Sequence, residues 1–426
     1  MSRSFTDDGW RDLLERAHQA AAEDRRRFPG DRAATQPLET LYVSADRVTS
    51  TTTVEFGAEA LRLLDAHAPD APAFEAAFGV DAAVAERARA RVVAKLRRMP
   101  VEDLRVDFED GYGSRPDDEE DRHAEEAARA IQTARTDGTA PASFGLRVKS
   151  FADGAEARSL RTLDTFVTTL TEAAGELPDG FVVTFPKVTT PEHVALFAEA
   201  LERLEVGLGL DERALRFEVQ VETPRSVIGA DGTVAAPRIL DAADGRLTAM
   251  HFGVFDYTAS LGLMPWEQRL DHPANDLAKE LLQVTLAGTG VRLSDGSSNV
   301  VPATDRTEDV HAAWRLHAEH VRHSLSAGFY QGWDLHPAHL VSRYAAVYGW
   351  LLPHLDDATS RVRAWREGVA AAGVLDEPAT VSSLLRYLRF AVSSGAVDEA
   401  EVIEAAGLAR DELLRNGPRS ELEDRA

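Results

Sequence analysis

The sequence predicts an α/β protein closed into a (β/α)8 TIM barrel with a C-terminal helical extension, and three observations predict it. Eight short β-rich apolar runs alternate with helix-length stretches rich in Ala, Arg and Glu. The chain has 426 residues, 44% of them apolar, which is enough for one large core of barrel size. Acidic or basic residues recur at the C-terminal ends of the runs, where such barrels carry their chemistry. An open doubly wound sheet is the architectural alternative.

Residues 9–28 are charged and helix-prone, and Pro29-Gly30-Asp31 punctuates the chain before a first strand at Leu41 to Ala45. The remaining strands are expected at Leu104 to Phe108, Phe144 to Val148, Phe181 to Val188, Leu215 to Glu222, Leu247 to Val254, Val291 to Ser294 and Gly332 to His336. The long stretch from Val54 to Met99 reads as two helices broken at Asp70-Ala71-Pro72. After Pro337 the chain is helical, with breaks near Pro353 and at Asp376-Glu377-Pro378, and amphipathic over 379–393 and 398–415. Residues 1–350 are therefore expected to form the catalytic barrel with its N-terminal helix. Residues 351–426 are expected to form a helical extension or lid, with a frayed tail from Gly417.

Composition narrows the function. Lys plus Arg number 47 against 71 Asp plus Glu, a formal net charge of −24, so nucleic acid and anionic membranes are poor partners. No cysteine is present, which excludes disulfides, thiolate metal sites and a cysteine nucleophile. The N-terminus lacks the basic and apolar regions of a signal peptide, and no apolar run approaches the roughly 18 residues of a membrane span. A cytoplasmic protein is expected. Only four lysines occur, Lys95, Lys149, Lys187 and Lys279, so an imine mechanism has few candidates.

Polar residues on the strands define a candidate site. Period-two alternation puts Asp107 and Glu109 on one face of the second strand, and Arg147 and Lys149 on one face of the third. Two inward cations need anionic partners, either a protein carboxylate such as Glu109 or Glu218, or a substrate carboxylate. The fifth strand carries Glu218, Gln220 and Glu222 on one face, and Pro224 holds Glu222 at the strand end. The sixth leads through His251 and Gly253 to Asp256. Glu222 and Asp256 on adjacent strand ends would raise a proton affinity or bind a divalent cation, and an all-oxygen donor set favours Mg²⁺ or Mn²⁺ over Zn²⁺. Solvated surface acids are the bland alternative for each residue taken singly.

Six segments resemble, in order, the motifs of the citrate lyase β-subunit-like family, which includes malyl-CoA lyases and related aldolases. They are Val106-Asp107-Phe108-Glu109-Asp110, Leu146-Arg147-Val148, Phe185-Pro186-Lys187-Val188, Val221-Glu222-Thr223, Phe252-Gly253-Val254-Phe255-Asp256 and Leu335-His336-Pro337. The resemblance implies a barrel of the phosphoenolpyruvate/pyruvate-binding type, oligomeric as a trimer or hexamer, that makes or breaks a carbon–carbon bond next to a carbonyl. It implies Mg²⁺ on Glu222 and Asp256, Arg147 on the substrate carboxylate or enolate oxygen, and hydrogen-bonding or proton-transfer roles for Asp107, Glu109 and Asp110. Lys187, Gly253 and His336 are further expected substrate contacts. The substrate is a small carboxylic acid or an acyl-CoA.

The departures are the turn Ala230-Asp231-Gly232-Thr233, the run Gly111-Tyr112-Gly113, His251 before the Phe-Gly step, and the segment Gly262 to Pro273. They mark a divergent branch. Asp107, Glu109, His251 and a metal-bound water are all open as the base. The rival readings are an imine-forming aldolase using Lys149 or Lys187, phosphonomutase or isocitrate-lyase-like chemistry on the same barrel, and a non-catalytic acid-binding barrel. His311, His317, His320 and His323 have helical spacing and are expected on a solvated helix face.

Overall fold

A computed structural model describes residues 7–30, 36–152, 154–369 and 376–414, so Asp31 and the tail from Gly417 lie outside the described residues. Eight strands form, at Glu39–Ser44 (β1), Asp103–Asp107 (β2), Ser143–Arg147 (β3), Phe181–Phe185 (β4), Phe217–Val221 (β5), Leu247–Phe252 (β6), Arg292–Ser294 (β7) and Gly332–Asp334 (β8). All eight coincide with the expected runs. They pair in parallel in the order β7-β6-β5-β4-β3-β2-β1-β8. Backbone bonds from Asp295 N to Gln331 O (2.8 Å) and Trp333 N to Gly296 O (3.2 Å) close the remaining seam. The fold is a TIM barrel, not an open sheet.

Helices between the strands cover the barrel because each buries one stripe. In Glu156–Ala174 the stripe is Leu163, Phe166, Val167 and Leu170, at the i, i+3, i+4, i+7 spacing of one helix face. Phe166 meets Phe108 and Phe181, with centroids 6.4 and 6.2 Å apart. Burying each such side chain contributes about 1.5–3 kcal/mol.

Two expectations change. The stretch after β1 holds three helices, not two: Thr52–His67, Ala71–Phe78 and Ala82–Arg98. Asp70 caps the second, Gly79 ends it in the left-handed region (φ 63°), and Asp81 caps the third. The histidine helix Thr307–Ser326 is not a solvated face either. His317 and His320 lie on its buried stripe with Val310, Trp314 and Val321, while His311 and His323 are half-buried against His67 O (2.7 Å) and Asp276 (2.8 Å). His317 gains one partner there, Ser342 Oγ at 2.7 Å, whereas both ring nitrogens of His320 are buried without a hydrogen bond.

The C-terminal helices Leu355–Arg366, Pro378–Ser394, Glu399–Ala406 and Arg410–Leu414 pack beside the barrel. Tyr348 donates to Ser394 O at 2.9 Å, and Arg91 and Arg87 on the third of the early helices pair with Asp398 and Glu401 at 2.7 Å. Among the described residues no helix is long and apolar enough to cross a membrane.

Candidate active site

The strand ends converge on a cavity of about 480 Å³ whose lining includes Asp107, Arg147, Glu222, Gly253 and Asp256. Register explains the first pair. Asp107 and Arg147 are direct partners across β2 and β3, and both side chains point into the barrel. Arg147 donates Nε and Nη2 to the two oxygens of Asp107, each at 2.7 Å. Asp107 also accepts the backbone N–H groups of Glu109 and Gly111 at 2.9 Å, so its carboxylate is spoken for. Arg147 Nη1 lies 3.3 Å from Glu109, and the guanidinium sits 4.9 Å from the centre of the Tyr42 ring.

Lys187 follows β4 with φ 49°, a left-handed conformation uncommon for a residue with a side chain. That bend delivers its backbone N–H to Glu222 Oε1 at 2.6 Å. The same bend delivers its ammonium to Glu109, to Asp110 (2.8 Å) and to Asp256 (3.3 Å). Burial opposes the charge on Lys187, but Glu109 and Glu222 more than offset it and hold the amine's pKa well above its usual range.

Glu222 is buried, and its pKa is pushed up to about 8. Burial is the main cause; Lys187 opposes it, while Glu109 and Asp256 add to it. Its carboxylate lies against Gly253, where a Cβ would stand 2.3 Å from Oε2. Glycine is required there by the Glu222 side chain, whose Cβ would also lie 2.4 Å away, and not by the backbone, since a φ of −101° suits any residue. Burial likewise raises the pKa of Glu109 against the pull of Arg147 and Lys187.

Other expected residues sit elsewhere. Lys149 does not share the inner face with Arg147: β3 ends at Arg147, and Lys149 Nζ turns to Phe108 O (2.5 Å), Gly113 O (3.2 Å) and Glu120 (3.0 Å). Glu218 pairs with Arg105 at 3.1 Å, deeper in the barrel. His251 does not reach the cavity as a base. It is fully buried and its Nδ1 accepts the Trp333 indole N–H at 2.8 Å. His336 caps the helix Pro337–Leu351 through Nδ1, which accepts from Ala338 N at 3.1 Å, and is absent from the lining. Sequence reasoning missed Tyr42, Arg47, Ser297, Asn299 and Trp333, which also line the cavity. Only the inward phase of Tyr42 on β1 and of Trp333 on β8 could have signalled them.

A second cluster, His317, Asp334 and His339, brings three metal-capable groups together in the buried layer outside β8. Asp334, His339 and the Nδ1 of His317 (2.7 Å from Ser342 Oγ) are committed, whereas His317 Nε2 faces Asp334 at 3.5 Å without a hydrogen bond. Arg343 binds both Asp334 oxygens at 2.7 and 2.8 Å, and His339 Nε2 meets Val300 O at 2.7 Å. Burial, with His339 and Arg343 nearby, pushes His317 well below its usual pKa. We read this cluster as structural.

Residues 17–419 match the family described as Domain of unknown function (DUF6986). The chain is 26% identical over 273 residues to L-malyl-CoA/beta-methylmalyl-CoA lyase of Haloarcula marismortui, covering 63% of this chain and 75% of that protein. In fold it is similar to a citrate lyase from Burkholderia xenovorans LB400, with a TM-score of 0.57, 18% identity and coverage of 88% of this chain and 100% of that one. It is also similar to the magnesium/glyoxylate complex of Haloferax volcanii malate synthase, with a TM-score of 0.50, 16% identity, and coverage of 90% and 98%. A TIM barrel with these strand-end residues in this order, a family match over nearly its whole length and these relatives agree: the chain belongs to the DUF6986 family, within the citrate lyase β-subunit-like (HpcH/HpaI aldolase) superfamily.

Proposed function

We propose that the chain is a carbon–carbon lyase of the aldol type, which makes or breaks a bond next to the carbonyl of a small carboxylic acid or acyl-CoA with the help of Mg²⁺ or Mn²⁺. The observation that carries this reading is the Glu222 carboxyl, buried at a barrel mouth beside Asp256 and sharing a cavity with Arg147. The donor set fits a hard divalent cation: Glu222 and Asp256 offer oxygen only, and Gly253 leaves Oε2 of Glu222 room that any side chain would fill. Glu222 and Asp256 would hold the cation, which would supply Lewis acidity toward the substrate carbonyl.

The chain's own groups do the rest. Arg147 Nη1 faces Glu109 and Gln220, and its Nη2 keeps one N–H beyond that taken by Asp107, which would bind the oxygen on which negative charge develops. Asp107 fixes the plane of that guanidinium. Glu109, held by Arg147, Lys187 and the Asp110 N–H just behind the cavity lining, is our candidate for moving the hydroxyl proton, because burial raises its proton affinity and release from Lys187 would free an oxygen. Lys187 holds Glu109, Asp110 and Asp256 in register as a permanent cation. An imine needs a neutral amine, which three carboxylates deny it.

Residues 1–350 are the catalytic barrel in this reading and 351–426 a helical extension, supported by a cavity lined wholly from residues 42–335. The working form is a cytoplasmic trimer or hexamer, which light scattering checks. The activity test is a panel of 2-oxo acids with aldehydes, and of malyl-, citramalyl- and acetyl-CoA, with and without Mg²⁺. Turnover that requires the metal and one member of the panel supports the reading; none with any member refutes it.

A further inference from the structure

Trp333 joins the cavity to a polar column inside the barrel. It lines the cavity yet is only 6% exposed. Its indole N–H can only donate, so His251 Nδ1 is the acceptor and the imidazole proton sits on Nε2, 3.1 Å from Glu218 Oε2. Glu218 is itself held by Thr184 Oγ1 at 2.6 Å and Arg105 Nε at 3.1 Å. The indole ring also packs on Tyr42, with centroids 5.0 Å apart.

Neither His251 nor Glu218 touches the cavity, and burying such groups is costly unless each has partners. What this arrangement secures is the orientation of one ring. Leu335, two residues further on, lines the same cavity and is left 43% exposed. Trp333 and Leu335 offer an apolar surface to a hydrocarbon, while the Tyr42 ring behind Trp333 carries the Arg147 guanidinium at 4.9 Å. A cavity of about 480 Å³ falls in the size range that holds ligands well beyond three carbons.

We infer that Trp333 is a specificity-determining residue that selects 2-oxo or 2-hydroxy acids bearing a branched or aromatic hydrocarbon tail, and that His251, backed by Glu218, is the positioning residue that holds its indole. The inference rests on the acid-binding reading proposed above. The polar end of the acid would meet Arg147 and the cation that Glu222 and Asp256 would hold, while its tail lies on Trp333 and Leu335.

Calorimetric titration of the full-length protein in Mg²⁺ with pyruvate and with 4-methyl-2-oxopentanoate tests it. The branched acid binds about tenfold more tightly or better, the gain expected from burying its extra methyl and methylene groups. Trp333→Ala brings the ratio towards one. His251→Leu lowers it too, whereas His251→Gln, whose amide oxygen can accept the indole N–H, restores it. A merely structural role for His251 would weaken both acids together and leave the ratio intact. A wild-type ratio near one, a ratio that survives Trp333→Ala, or one untouched by His251→Leu overturns the inference. Binding of neither acid overturns the acid-binding reading itself, and the inference with it.

Discussion

Glu222 and Gly253 touch so closely that a methyl group on the glycine would stand 2.3 Å from the carboxylate oxygen. The same methyl group would stand 2.4 Å from Glu222 Cβ, so Gly253→Ala displaces the whole Glu222 side chain and presses on the backbone that carries it. Mg²⁺ affinity should fall by about tenfold or more, as for losses beside a metal ligand. Calorimetric titration with Mg²⁺ checks this, on variant protein whose folding is first established by circular dichroism and whose melting temperature is expected to fall.

The same burial that primes Glu222 for a cation makes its protonation depend on pH. Its folded pKa of about 8 lies above the 4.5 of a free side chain, so the folded metal-free protein binds the extra proton. That contribution to stability is fully present below pH 4.5 and is lost as pH rises through 8. Mg²⁺ must displace the proton, so binding at pH 7 should release close to one proton, and Glu222→Gln should abolish the release. Titration calorimetry in two buffers of different ionisation enthalpy measures it directly.

Asp107 and Arg147 form a buried bidentate pair, and their substitutions should separate stability from catalysis. Arg147→Ala strands a buried carboxylate and should cost about 3–5 kcal/mol in denaturant unfolding. Arg147→Lys keeps the charge but loses the fork, and should lower kcat/KM by about 10²-fold or more. Equal activity of Arg147→Lys and wild type would remove Arg147 from the chemistry.

Borohydride treatment with pyruvate should leave both strand-associated lysines unmodified. Lys187 is held by three carboxylates, and Lys149 is spent on Phe108 O, Gly113 O and Glu120. Mass spectrometry of the digested protein reads the result, and a stable adduct on either lysine would restore the imine mechanism.

The architecture was legible in the sequence because strand periodicity and Pro/Gly punctuation are local signals. The eight runs and Glu222 at the end of β5 follow from them, whereas Arg147 pairs chiefly with Asp107 rather than with the expected Glu109 or Glu218. What escaped depends on contacts across the barrel. The left-handed bend at Lys187 exists to serve Glu222, 35 residues on. The Trp333–His251 bond spans 82 residues, and burial of His317 depends on Ser342, whose hydroxyl meets its Nδ1 at 2.7 Å. No spacing rule within one element encodes these, and Lys149 was misplaced because alternation was carried two residues past the end of β3.

Metal-dependent catalysis at Glu222 is tested most directly by turnover of the substrate panel before and after exhaustive EDTA treatment, with Mg²⁺ added back, in wild type and Glu222→Gln. It predicts that EDTA abolishes carbon–carbon bond cleavage or formation, that Mg²⁺ restores it in wild type, and that Glu222→Gln stays inactive with the metal present. Activity indifferent to both EDTA and Glu222→Gln would contradict it.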